Sequence, residues 1–253
     1  MRLTGGKVKM IVFPSPLIIA ALLLGAAILL WLQIFPAARP ASIYYGYPLK
    51  GTRIMIDPGH GGIDPGAHHN GSFTEKEIVL AVSLELRRLL QQAGAEVTMT
   101  RETDEDVSRH IPGDPSSRYQ RDMSGRVKLI NESGADLFVS LHINYFYDTS
   151  IRGAIVFYNN SRPENKLLAE AIQKNINPVV AVNPRPDQYI HQEIKEGDYL
   201  ILNRATIPGV IVEMGFITNP DERELLRQDR YRQKLAQALL IGITEYIYGR
   251  KES

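Results

Sequence analysis

Beyond residue 50 the densest apolar runs of the chain are short, and three of them end abruptly in a polar residue. Residues 53–56 read as a β-strand that runs into Asp57 and a glycine- and proline-rich loop carrying His60; residues 137–142 end in His142; residues 209–213 end in Glu213. Unbroken β-branched and aliphatic runs of this length predict strands buried on both faces of a parallel sheet. Between them the apolar period lengthens to that of amphipathic helices. Residues 75–93 predict a helix opened by a capping box over Thr74-Glu75-Lys76-Glu77 and stopped at Gly94. A strand over 96–100, a long exposed loop over 101–117 and a helix over 118–132 follow. A strand over 154–158 and a helix over 164–177 come next. Residues 178–197, with several prolines and charges, read as surface loops around a short element, and 199–203 as a short strand or one helical turn. Helices over 219–228 and 231–248 close the chain. Strands alternating with helices predict an α/β domain, and in open sheets of this class ligands bind outside the carboxyl ends of parallel strands. His60, His142 and Glu213 are therefore expected to converge.

The N-terminus has a different pattern. Arg2, Lys7 and Lys9 precede an uncharged stretch over 10–36 whose core, 17–35, is almost wholly aliphatic. As a helix that core spans about 28 Å, close to the ~30 Å hydrocarbon thickness of a bilayer. Basic residues ahead of it predict a cytoplasmic segment (1–9), a transmembrane signal anchor (10–36), a linker (37–50) and a catalytic domain (51–249) outside the cytoplasm. Pro36, Arg39 and Pro40 spoil the small-residue cleavage sites near Ala37 and Ala38, which favours a retained anchor over a cleaved, secreted form.

Lysine and arginine (29) nearly balance aspartate and glutamate (28), so no whole-molecule field attracts a nucleic acid, and none is expected as a partner. Cysteine is absent, so a zinc site has to be built from His, Asp and Glu. Of the six histidines, His60 and His142 follow predicted strands directly. His110 and His191 lie in polar loop contexts and read as surface residues. His68 and His69 read the same way, with a substrate-side role left open by their nearness to the glycine loop. Glu75, in the first turn of the helix entered from the His60 loop, is the candidate third metal ligand or else a first-turn capping residue. Glu213, at the end of a buried strand, is either a carboxylate with a raised pKa suited to proton transfer or half of an ion pair with a nearby Arg or Lys. Asn144 reads as a turn former, Arg126 as a helix-packing residue and Asn131 as a helix-ending one.

The loop Asp57-Pro58-Gly59-His60-Gly61-Gly62-Ile63-Asp64-Pro65-Gly66-Ala67 is followed by Glu75-Lys76, Thr100-Arg101, Arg126 with Asn131, the run from Ala135 to Asn144, and the run from Pro208 to Asn219. In this order and spacing, residues 52–249 resemble the zinc-dependent N-acetylmuramoyl-L-alanine amidases, the Amidase_3 family. The resemblance implies a mostly parallel six-stranded sheet flanked by helices, zinc held by His60, Glu75 and His142, and Glu213 as the catalytic carboxylate. It implies peptidoglycan as substrate, cut between N-acetylmuramic acid and L-alanine. A compact domain behind one membrane segment, without appended wall-binding repeats, is most similar to the germination-specific members of spore formers. Those act in cortex maturation, where a partner deacetylase forms muramic δ-lactam. The competing readings are a membrane-anchored wall-binding scaffold without catalysis, which has no need of the four site residues, and a zinc carboxypeptidase acting on stem peptides. Oligomeric state is not legible.

Overall fold

The computed structural model describes residues 48–70, 73–111, 118–181 and 187–252. The expected anchor over 10–36 and most of the linker lie outside the described residues; among those described, no helix is long and apolar enough to cross a membrane.

The expected strands form one six-stranded sheet in the order β4-β1-β5-β8-β6-β7. β1 (Arg53–Pro58) pairs in parallel with β4 (Glu96–Met99) and with β5 (Leu137–Asn144); β5 pairs in parallel with β8 (Gly209–Phe216). β6 (Ile151–Tyr158) runs antiparallel to β8, and β7 (Tyr189–Glu196) runs parallel to β6. A two-stranded ribbon of β2 (His68–His69) and β3 (Phe73–Thr74) lies apart from this sheet. Alternation along the central strands sorts their side chains between two cores. Ile54, Ile56, Val139, Leu141, Val210 and Val212 belong to the larger one, with Val79, Val82, Leu86 and Leu90 of α1 (Glu75–Gln92) and with residues of α3 (Pro163–Val180) and α6 (Asp229–Glu252). Met55, Phe138 and Ile211 face a smaller one with Ile130 of α2 (Arg118–Glu132) and Ile201 and Leu202 of α4 (Leu200–Arg204). Each of these fully buried aliphatic side chains contributes roughly 1.5–3 kcal/mol, so both faces of β1, β5 and β8 are held firmly up to the ends that carry the polar residues.

Several local expectations change. Gly94 ends α1 as expected, in a left-handed conformation (φ 94°), with Ala95 N donating to Leu90 O at 3.0 Å. The capping box does not form as expected: Thr74 is the N-cap by backbone geometry, but its hydroxyl is buried without a hydrogen-bond partner. The 101–117 loop is not exposed throughout, because Arg101 and Val107 are buried. Residues 178–197 contain a complete eight-residue strand, β7, and α3 continues through Pro178. A strand reading Tyr-Ile-His-Gln-Glu-Ile-Lys-Glu lacks the apolar run of a central strand because it lies on the sheet edge and is solvated. α4 resolves the 199–203 ambiguity in favour of helix, and Asn219 caps α5 (Pro220–Arg227), its side-chain oxygen accepting from Asp221 N and Glu222 N.

Candidate metal centre

β1, β5 and β8 are parallel neighbours, so their polar ends share one rim. His142 and Glu213 are register partners on β5 and β8. His60 follows β1 in a left-handed conformation (φ 59°) that turns its ring back over the sheet end. Glu75 enters from the first turn of α1 and is almost fully buried.

These residues meet. Glu75 Oε1 lies 2.9 Å from His142 Nδ1 and 3.2 Å from His60 Nε2, and one ligand atom from each of the three lies within 4.8 Å of the others. Glu75 is held from both sides: Ile143 N donates to Oε1 at 2.9 Å and Ala67 N to Oε2 at 2.8 Å. His60 Nδ1 lies 2.8 Å from Asp64 Oδ2, so the ring is held between Asp64 on one nitrogen and Glu75 on the other. Burial alone lowers the pKa of His60, yet the hydrogen bonds from Asp64 and Glu75 carry it up to about 10. Burial likewise works against a charged Glu75, and the two imidazoles hold its carboxyl well below the usual range. Two imidazoles and a carboxylate, with no thiolate in the chain, are the donor set of a zinc site with an open position.

The glycines leave room for these donors. A Cβ on Gly59 would lie 2.3 Å from His142 Cε1, and one on Gly66 would lie 2.6 Å from Glu75 Oε2.

Glu213 stands beside the cluster in a different environment. Its Oε2 is out of solvent contact and has no hydrogen-bond partner. Burial pushes its pKa up to about 7; Glu75 adds to that rise, while His142 and His60 oppose it. The alternative ion pair does not form: among the described residues no Arg or Lys bridges to it. It opens onto a cavity of about 320 Å³ that is also lined by His60, His142, Tyr119, Met123, Tyr199 and Ile201.

Beneath the cluster lies a network that the sequence reading treated as ordinary packing. Asp57 is buried and accepts from Thr100 Oγ1 (2.6 Å), Ser140 Oγ (2.6 Å) and Arg126 Nη1 (2.8 Å). Burial favours its neutral form, but Arg126 and the two hydroxyls outweigh that and keep it low. Arg126 also donates to Pro58 O, to His60 O and to Asp122, so it fastens the His60 loop rather than packing a helix. Arg101 donates to Pro58 O, Gly59 O and Lys76 O, fastening the same loop from the other side. Asn131 stands at the end of α2 as expected, and its side chain also reaches across, donating to Arg204 O and accepting from Thr206 N, so that it clamps the segment at the end of α4. Asn144 is the expected turn former, accepting from Tyr145 N. Asp64 and Asp57 were given no role of their own. The four-residue spacing from His60 to Asp64 across a double-glycine turn is the signal that points to Asp64.

The other histidines stay away from the cluster. His68 and His69 sit in the β2–β3 ribbon and do not line the cavity. His110 lies in a 3₁₀ turn. His191 is not in a loop but on β7, stacked on Phe216 at 5.6 Å and paired with Glu193.

A mostly parallel α/β domain with a buried carboxylate and a His/Glu/His cluster that could hold a metal ion at its carboxyl rim has the arrangement of a hydrolase site. Residues 54–245 match the N-acetylmuramoyl-L-alanine amidase family Amidase_3, and the chain belongs to it. It is an amidase of peptidoglycan. The germination-specific N-acetylmuramoyl-L-alanine amidase of Bacillus subtilis is 38% identical over 225 residues, covering 88% of this chain and 92% of the relative. Among solved structures, the CwlD amidase from Clostridioides difficile, in complex with the GerS lipoprotein, superposes with TM-score 0.69 at 34% identity over 78% of this chain and 99% of that one. The catalytic domain of CwlV from Bacillus (Paenibacillus) polymyxa var. colistinus gives TM-score 0.63 at 27% identity, over 78% and 98%.

Proposed function

We propose that the chain hydrolyses the amide between the lactyl carboxyl of N-acetylmuramic acid and the L-alanine of the stem peptide, with His60, Glu75 and His142 holding zinc and Glu213 moving the proton. Zinc bound there supplies Lewis acidity to the scissile carbonyl and to the attacking water. Glu213 Oε2 takes the proton of that water as the new C–O bond forms. It returns that proton to the alanine nitrogen as the C–N bond breaks, and the second proton of the water follows to the amine, leaving a carboxylate and an ammonium group. Asp64 keeps the His60 ring in one tautomer, and Glu75 is fixed by two backbone donors before any metal arrives. The observation that carries the reading is the unpartnered Oε2 of Glu213. A buried carboxylate oxygen with no donor, beside three convergent ligands, is suited to a proton in transit and is wasteful in a scaffold.

The likeness to a germination-specific relative supports a place in spore cortex maturation, where stem-peptide removal precedes muramic δ-lactam formation by a partner deacetylase. The lipoprotein bound to the CwlD amidase supports a protein partner for this chain as well. The anchor over 10–36 holds the domain on the outer side of the membrane, so the protein stays in the membrane fraction after a high-salt wash. Recovery of a soluble chain starting near Ala41 refutes that placement. Mass spectrometry of digested peptidoglycan tests the reaction: free peptides beginning with L-alanine support it, and shortened peptides still attached to muramic acid show a carboxypeptidase instead.

A further inference from the structure

β5 ends at Asn144, two residues past His142, and the next three residues are Tyr145, Phe146 and Tyr147. They are exposed by 49%, 48% and 88%. Three consecutive aromatic side chains left in water form an apolar patch of the kind that marks a binding surface. The backbone beneath them is pinned. Asn144 Oδ1 accepts from Tyr145 N at 2.7 Å, Thr218 Oγ1 accepts from Phe146 N at 3.3 Å, and Asn219 Nδ2 donates to Thr149 O at 2.8 Å. Asp148 closes the turn by accepting from Ser150 N. The Tyr145 and Tyr147 rings meet edge to face with centroids 5.7 Å apart, so their positions are set relative to each other.

The patch adjoins the reacting centre. At about 3.3 Å per residue, Tyr145 stands roughly 10 Å beyond His142 along the chain. The end of β8, which carries Glu213, is tied to the same rim by Ile217 N donating to Asn144 O at 2.9 Å. From the scissile amide the substrate extends in two directions, as a chain of neutral sugars and as a peptide ending in a carboxylate. Residues 144–151 contain no Lys or Arg, and their one charged side chain is Asp148. The segment itself carries no cation for an anionic peptide or an anionic lipid, and the neighbouring Arg223 spends Nη1 on Ile217 O and Thr218 O. A neutral pyranose suits it, with C–H faces for the rings and hydroxyls for the phenol oxygens.

We propose that Tyr145 and Tyr147 form a stacking platform for the sugars that flank the muramic acid being cleaved, so that this enzyme selects glycan chains over isolated muramyl peptides. The inference rests on the amidase reading above, with the scissile bond at His142 and Glu213.

The full-length protein, loaded with zinc, is assayed on two substrates: a glycan chain of several disaccharides bearing stem peptides, and a muramyl peptide carrying one sugar. Tyr145→Ala/Tyr147→Ala raises KM about tenfold on the glycan chain, as expected for loss of two ring contacts, with a clearly smaller change on the single-sugar substrate and little change in kcat. Leu167→Ala, an exposed apolar residue of α3, shifts neither substrate. Equal losses on both substrates, or no loss on the chain, overturn the platform while leaving the amidase reading intact. Failure of the unaltered protein to release L-alanine-headed peptides from either substrate strikes the amidase reading instead. Binding is measured separately by calorimetry with a tetramer of N-acetylglucosamine, which has no scissile amide. Saturable binding that the double variant weakens about tenfold supports the platform. Absence of binding, or binding that the double variant leaves unchanged, overturns it.

Discussion

The Cβ that Gly59 lacks would sit 2.3 Å from Cε1 of His142, so the loop after β1 and the end of β5 approach as closely as they do only because one of them has no side chain. Gly59 has no left-handed requirement, which makes the effect steric rather than conformational. Gly59→Ala is expected to displace the His142 ring, lowering zinc content and activity at least tenfold while costing about 1–3 kcal/mol of stability. Metal analysis of the purified variant checks this, and full zinc with normal turnover contradicts it.

The proposed roles assign metal binding and proton transfer to different glutamates. Glu75→Ala is expected to lose zinc and activity together, as is His142→Ala, whereas His110→Ala keeps both. Glu213→Gln preserves shape but cannot take up the proton, so it should retain zinc while turnover falls by about 10² to 10⁴. Release of L-alanine-headed peptides from zinc-supplied muropeptides is the readout. Near-normal rates in Glu213→Gln would place the proton elsewhere.

Arg126 and Asp57 are a buried pair with two hydroxyls and two loop carbonyls attached. Arg126→Ala strands the Asp57 charge and is expected to cost about 3–5 kcal/mol. It also frees the His60 loop, so zinc affinity falls with stability. Denaturant titration of the zinc-free protein isolates the first effect; a loss under 1 kcal/mol there rules out the pair as a structural centre.

Glu222 predicts a pH dependence away from the metal. It is buried, with Oε1 accepting from Gly153 N and Oε2 from Phe216 N, and burial outweighs those bonds and pushes its pKa up to about 8 from 4.5. An acid whose folded pKa is raised binds more protons folded than unfolded, so its contribution is complete below pH 4.5 and is lost as pH rises through 8. Unfolding midpoints in urea should therefore fall between pH 5 and pH 8.5 by an amount equivalent to a few kcal/mol. In Glu222→Gln that part of the slope should vanish. An unchanged slope in the variant refutes the assignment.

The sequence by itself determined the frame and singled out the four residues that the fold brings together at one rim. β1, β5 and β8 were legible because strands buried on both faces must be apolar throughout, which makes the first charged or imidazole residue after each run conspicuous. α1 and α2 were legible from their period and, for α1, from Gly94. The fourth residue of the proposed site, Glu75, was legible as a residue but not as a role, since a first-turn carboxylate serves equally as a cap; its approach to two imidazoles is what favours the ligand. Tertiary structure alone decided what depends on distant partners. β7 was hidden because an edge strand needs no apolar run. Thr74 looked like a capping side chain because the local pattern cannot show that its hydroxyl is buried away from donors and acceptors. Arg126 looked like helix packing because its partners, Asp57, Pro58 and His60, lie more than sixty residues away. Local propensity is written in neighbouring residues, whereas a buried charge is settled by whatever the fold brings to it from far along the chain.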